Sequence, residues 1–235
     1  MHVPHKRLVI ATGNPGKLRE FRALLAGLPF DLTGLTEFGV AAPEENGASF
    51  IENALLKARH AAAAAAKAAA VEAAVAGAIA DDSGLEVDAL GGAPGIFSAR
   101  YAGVGADDSA NNAKLLAALE GIPAERRRAR YRCALVFVSS ADDPAPLISE
   151  GVWEGYILDE PRGSGGFGYD PYFWLPERRM TAAQLGLDEK NRISHRGAAM
   201  RALRGQLAQR DWLGLCAQPE VRGPQGPGGG AAVRK

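Results

Sequence analysis

A short apolar run, Leu8-Val9-Ile10-Ala11, breaks at Thr12-Gly13-Asn14-Pro15-Gly16-Lys17 and passes at once into a helical pattern. Leu18, Phe21, Leu24, Leu25 and Leu28 recur at helical spacing, with Arg19, Glu20 and Arg22 between them, and Gly27 and Pro29 end the run. This predicts a strand over 8–11, a tight turn and a helix over 17–26. Such a turn is a seat for an anion, because its backbone N–H groups, the first-turn amides and the positive end of the helix dipole face one place, with Lys17 beside them. An ordinary strand-to-helix turn with a surface lysine has the same composition. A P-loop is disfavoured: it needs Gly, four residues, then Gly-Lys-Ser/Thr, whereas Ala11 holds the first Gly position and Leu18 follows Lys17.

The chain has 235 residues, enough for one domain or for one domain of two lobes. Its 27 basic and 27 acidic residues cancel, which argues against general attraction to nucleic acid or to a membrane surface, so an anion site must be local. Cys133 and Cys216 have no metal-ligand spacing and no reason to pair, which suits a reducing cytoplasm. The first residues lack the apolar core of a signal peptide, and no run reaches the ~18–20 apolar residues of a spanning helix.

Further along, a strand is expected near 30–35. Ser49-Phe50-Ile51-Glu52 reads as a capping box opening a long helix to the mid-70s, and its alanine-rich 61–70 stretch favours helix over linker. A buried strand at 78–80 is expected to end at Asp81-Asp82-Ser83-Gly84, followed by a Gly- and Pro-rich loop over 89–101. A helix over 108–119, a strand over 130–139 and its antiparallel neighbour over 147–158 come next, and a last helix runs from 194 or 195 to about 210. Helices and strands alternate first and strands then follow one another. The fold class is therefore α/β with a mixed twisted sheet. The domain is expected to end at 216, and the Gly/Pro-rich tail over 217–235 is too poor in apolar residues to build a core.

Three segments carry candidate chemistry. Asp81 and Asp82 at a strand end point to opposite sides, so one can reach a cleft while the other braces the chain, and a nucleotide's Mg²⁺ needs such oxygen ligands. The same four residues also suit a plain turn. Pro43-Glu44-Glu45-Asn46-Gly47 is a second acidic loop whose composition suits a solvated one, and Lys57 reads as a surface lysine. Gly163-Ser164-Gly165-Gly166-Phe167-Gly168 matches a dinucleotide fingerprint in letters only, since it leads into Tyr169-Asp170-Pro171 and not into a helix. Phe167 beside glycines can instead stack a flat base, or the segment can be a tight turn feeding a core strand. Lys190, Ser194, His195 and Arg196 gather hydrogen-bond donors in a loop entering the last helix, suited to reading carbonyl oxygens on a base.

Taken in order, the stretches 11–17, Ser49-Phe50-Ile51-Glu52-Asn53-Ala54 with Lys57-Ala58, 80–85, 165–171 and Ser194-His195-Arg196-Gly197 resemble the inosine triphosphate pyrophosphatase family, as does Gly91-Gly92-Ala93-Pro94-Gly95-Ile96-Phe97-Ser98-Ala99-Arg100-Tyr101. The similarity covers roughly 7–213. It implies two lobes with helices packed around the sheet, a central active-site cleft and a homodimer. It implies Mg²⁺-dependent hydrolysis of deoxyinosine, inosine and xanthosine triphosphates to monophosphate and pyrophosphate. By position, Thr12, Gly13, Asn14, Pro15, Gly16 and Lys17 would hold phosphates. Glu45 (in preference to Glu44) and Asp82 would ligate Mg²⁺, and Asp82 would also be the general base. Ser83, Phe167, Gly168, Tyr169, Asp170, Lys190, His195 and Arg196 would contact the substrate. A pyrophosphatase for other modified nucleotides and a non-catalytic nucleotide-binding regulator are the alternatives.

Overall fold

A computed structural model describes residues 6–28, 30–69 and 75–209. Seven strands form one open sheet in the order β2-β1-β3-β4-β5-β6-β7. β1 (Lys6–Ala11) lies parallel to both β2 (Phe30–Gly34) and β3 (Val75–Val87). From β3 onward the pairing is antiparallel through β4 (Arg128–Val138), β5 (Leu147–Ile157), β6 (Phe173–Leu175) and β7 (Met180–Thr181). The sheet is thus mixed, as the order of elements requires.

The first helix, α1, spans Pro15–Leu24 and so starts before the apolar repeat does. Pro15 occupies its first turn, where a missing N–H costs nothing, and the Asn14 side chain caps it by accepting from Gly16 N at 2.8 Å and Lys17 N at 3.1 Å. Helix α2 (Phe50–Ala69) is capped by Ser49, whose Oγ accepts from Glu52 N at 3.2 Å. The expected continuation of α2 into the 70s lies outside the described residues, as do Cys216 and the tail over 217–235. The alanines of α2 have a packing reason: Ala58, Ala61 and Ala65 are fully buried against Ala78, Ala80 and Ala134, and small side chains let the helix lie close to the sheet.

The opposite face of the sheet packs Leu8, Ile10, Ile79, Leu135 and Phe137 against Phe21 of α1 and Met200 and Leu203 of α5 (His195–Ala208). A third cluster gathers where β3, β4 and β5 run on past the end of β1. There Leu85, Tyr131, Trp153 and Phe173 meet Leu115 of α3 (Asp108–Ala118) and Leu119, which caps its C-terminus.

Three expectations need correction. Asp81-Asp82-Ser83-Gly84 does not end a strand, because β3 continues to Val87, held by β4 from Asp81↔Leu135 to Val87↔Ala129. What does end there is the parallel pairing: β1 stops at Ala11↔Ala80, so the two aspartates come directly after the edge of the parallel half. The 89–101 segment is not a plain loop, since it contains 3₁₀ turns at Asp88–Leu90 and Gly95–Arg100. Lys190 is not in a loop either; it lies on a short helix, α4 (Leu187–Ile193), and Ser194 then caps α5 by accepting from Gly197 N at 3.2 Å.

Candidate active site

Strand alternation sends Asp81 and Asp82 to opposite faces of the sheet, and each meets a different set of cations. Asp81 turns toward α1 and α5, where it pairs with Lys17, accepts from Arg196 Nε at 3.0 Å and receives the Cys133 thiol at 3.1 Å. Burial alone would push its pKa up, but Arg196 and Lys17 outweigh that and hold it well below the usual carboxylate range. Asp81 is the brace.

Asp82 turns toward α2. Lys57 Nζ lies 2.7 Å from Asp82 Oδ1 and 3.1 Å from Glu45 Oε1, so one ammonium joins the two acids, and Asn53 Nδ2 reaches Asp82 Oδ2 at 3.3 Å. Lys57 is therefore no surface lysine: it is buried, in line with the alanine stripe of α2. Burial outweighs Lys57 at Asp82 and raises its pKa, whereas at Glu45 the cations Lys57 and Arg100 overcome burial and lower it. Arg100 grips Glu45 from outside, at 2.8 Å to Oε2 and 3.3 Å to its carbonyl. Glu44, by contrast, is exposed.

Mg²⁺ asks for one or two carboxylates, with waters and phosphate oxygens completing its shell. Glu45 and Asp82 converge on one point already held by a cationic nitrogen, and the donor set fits. Among the described residues no group of three or more His, Cys, Asp or Glu side chains forms a metal site.

A cleft of about 100 Å³ opens near Asp81, lined in β3 by Ser83 and Gly84. Asn14, Lys17, Ser83 and Gly84 form one side, and Phe167, Gly168, Tyr169 and Asp170 another. Lys190, His195 and Arg196 close its inner end with Tyr131. The structure thus brings most of the sequence-read residues together. Thr12, Gly13 and Pro15 do not line the cleft, nor do Glu45 and Asp82, which meet on Lys57 instead, and Gly16 faces a neighbouring cavity on the other side of Phe167.

The amides of Gly16 and Lys17 are taken up by the Asn14 cap, and Asn14 N donates to Thr12 Oγ1 at 3.2 Å, so these three donors of the turn have partners within the protein. Phe167 is equally engaged: its ring lies against Gly16, where any Cβ would collide with it, and Lys190 Nζ sits 4.8 Å from its centroid. Asp170 is buried and accepts from Lys190 at 2.5 Å and from Phe167 N at 3.0 Å, while the Tyr169 hydroxyl donates to Ser98 O at 2.8 Å.

Arg196 is 1% exposed, and its three donor nitrogens bond Asp81, Glu20 and Ser83. His195 stacks on Tyr131 at 4.8 Å with 9° between the rings. Burial first, then Arg196 and Lys190, push its pKa well below the ordinary value, so the imidazole is neutral, and its buried Nδ1 has no hydrogen-bond partner among the described residues.

The sequence alone did not single out Glu20. It is buried and joins Lys190, at 3.0 Å, to Arg196. Its spacing was the available signal, since position 20 stands one helical turn from Gly16 on the same face of α1.

Fold and site define a mixed α/β protein with a cleft walled by Lys17, Lys190 and Arg196 and a separate pair of carboxylates, Glu45 and Asp82, joined by Lys57, charges suited to a polyanion and its counter-cation. The chain belongs to the Ham1 family, whose model matches residues 8–206. It is 54% identical to a dITP/XTP pyrophosphatase of Thioalkalivibrio sulfidiphilus over 204 residues, 87% of this chain and all of that one. It is also 54% identical to a protein of the same name from Xylella fastidiosa, over 86% of this chain and 97% of the relative. Among solved structures, a HAM1 protein from Coxiella burnetii superposes with a TM-score of 0.76 at 45% identity, covering 87% of this chain and 100% of that one. The resemblance read from the ordered motifs is borne out, and so is the α/β class with its mixed sheet.

Proposed function

We propose that this protein hydrolyses the non-standard purine nucleoside triphosphates dITP, ITP and XTP to the monophosphate and pyrophosphate, with Mg²⁺ held by Glu45 and Asp82. The observation that carries the reading is the meeting of Glu45 and Asp82 on Lys57 Nζ beside a cleft walled by Lys17, Lys190 and Arg196. The relatives named above as dITP/XTP pyrophosphatases supply the reaction class.

When bound, Mg²⁺ would neutralise phosphate charge and acidify a water. The chain's own residues do the rest. Asp82, whose pKa is raised by burial, takes a proton from the attacking water, and Lys17 offsets the charge of the departing pyrophosphate. Thr12, Gly13, Asn14, Pro15 and Gly16 shape the phosphate turn. Ser83, Phe167, Gly168, Tyr169 and Asp170 line the nucleoside side. Neutral His195, with Lys190 and Arg196, donates to a 6-oxo group. A 6-amino purine leaves such buried donors unpaired, a mismatch that can exclude an analogue by ~10⁴-fold.

The active form is proposed as a cytoplasmic homodimer. One face of β5 supports the dimer, for Ile148 and Val152 are 36% and 43% exposed in the part of the strand that β6 does not reach, and a second copy would cover them. The buried free thiol of Cys133 suits a reducing compartment. The test is pyrophosphate release from inosine, xanthosine, adenosine and guanosine triphosphates with and without Mg²⁺. Release from the first two only, dependent on Mg²⁺, is expected; binding without release would point to a regulator.

A further inference from the structure

Glu45 lies in the segment between Gly39 and Phe50, which has neither helix nor strand. Neighbours of Glu45 are tied to α2: Ala41 O meets His60 Nε2 at 2.9 Å, Gly47 N donates to Asn53 at 2.8 Å and Ala48 N to Glu52 at 2.6 Å. Glu45 itself is held by Lys57 and by Arg100, and only Arg100 takes both its carboxylate and its carbonyl. One planar fork thereby fixes backbone and side chain together.

Arg100 is itself rigidly mounted. Asn111 of α3 donates to Ala99 O at 3.2 Å and accepts from Ala102 N at 2.8 Å, and Tyr169 holds Ser98 O. The guanidinium also sits 5.3 Å from the Phe97 ring centroid. Arg100 engages the oxygen of Glu45 that Lys57 does not, so a cation taking the place of Lys57 Nζ at Oε1 would meet a carboxylate already aimed.

We propose that Arg100 is a positioning residue for the divalent cation, presenting Glu45 to it through the Oε2 and carbonyl bonds. This rests on the reading of Glu45 as a metal ligand. Outer partners of ligating carboxylates are worth about 10–100-fold in metal affinity.

The test uses the full chain and Mn²⁺ alone as probe, titrated by electron paramagnetic resonance in wild type, Arg100→Ala, Arg100→Lys and Glu45→Gln. It is paired with the Mg²⁺ concentration giving half-maximal pyrophosphate release. Arg100→Ala is expected to weaken Mn²⁺ about 10–100-fold and to raise the Mg²⁺ requirement in parallel, with kcat recovered at saturating Mg²⁺. Arg100→Lys, which keeps the charge and loses the fork, should fall between.

Wild-type Mn²⁺ affinity in Arg100→Ala, or a lowered kcat with an unmoved metal requirement, overturns the proposal. Glu45→Gln separates the two levels. If it abolishes Mn²⁺ binding while Arg100→Ala does not, only the role of Arg100 falls; if it leaves binding intact, or wild type binds no Mn²⁺, the ligand assignment falls as well.

Discussion

Arg196 Nε and Asp81 Oδ2, 115 positions apart in the chain, lie 3.0 Å from one another between α5 and the centre of the sheet. Both are almost entirely removed from water, and Glu20 completes the guanidinium's set of acids. Arg196→Met should therefore leave Asp81 and Glu20 with only Lys17 and Lys190 as cationic partners and cost stability toward the lower end of about 3–5 kcal/mol, measured by urea unfolding. Arg196→Lys should recover little, because one ammonium cannot reach Asp81, Glu20 and Ser83 as the fork does.

Asp82→Asn keeps the size and the place of the side chain in β3. It should leave the thermal midpoint near wild type and lower kcat for inosine triphosphate by about 10²–10⁴-fold, the range of a lost general base. Unchanged turnover would remove Asp82 from the chemistry.

Lys57→Met should set Glu45 and Asp82 facing each other with no cation between. The loss of stability belongs at the lower end of about 3–5 kcal/mol, because Glu45 keeps part of its hydration. Added Mg²⁺ should then raise the melting temperature more in the variant than in wild type. Equal shifts would mean that the cation does not take the ammonium's place.

His195 gives the stability curve a defined acid slope. Its folded pKa is depressed, so below the ordinary value of 6.5 the unfolded chain takes up a proton that the fold refuses. Its contribution is therefore complete above pH 6.5 and declines as the pH falls below it, by up to about 1.4 kcal/mol per unit. His195→Gln should flatten that slope between pH 6.5 and 5 in denaturant titrations, and an unchanged slope would mean that the imidazole is protonated in the fold.

The sequence made β1, α1, β4 and β5 legible because each pairs a clear period with a clear stop. β3 was cut short because Asp81-Asp82-Ser83-Gly84 has the composition of a turn; its extension comes from ladder bonds to β4, a partner some 50 positions away that local propensity does not register. α4 was missed for want of periodicity, with Leu187 and Ile193 its only large apolar residues. The cleft residues were legible as a set of motifs, yet their partners were not, since the letters of Glu20, Lys57 and Arg100 carry charge and say nothing of burial.

Because consecutive residues of β3 serve opposite faces, the roles of Asp81 and Asp82 are a matter of phase. A one-residue deletion between Ala11's partner Ala80 and Asp82 would leave a single aspartate to serve either Arg196 or Lys57, never both. The ladder to β4, unbroken from Ala78↔Val138 to Val87↔Ala129, is what keeps that phase. Length in this strand is thus a chemical specification as much as a mechanical one: loops around the cleft can gain or lose residues, but β3 can only substitute them.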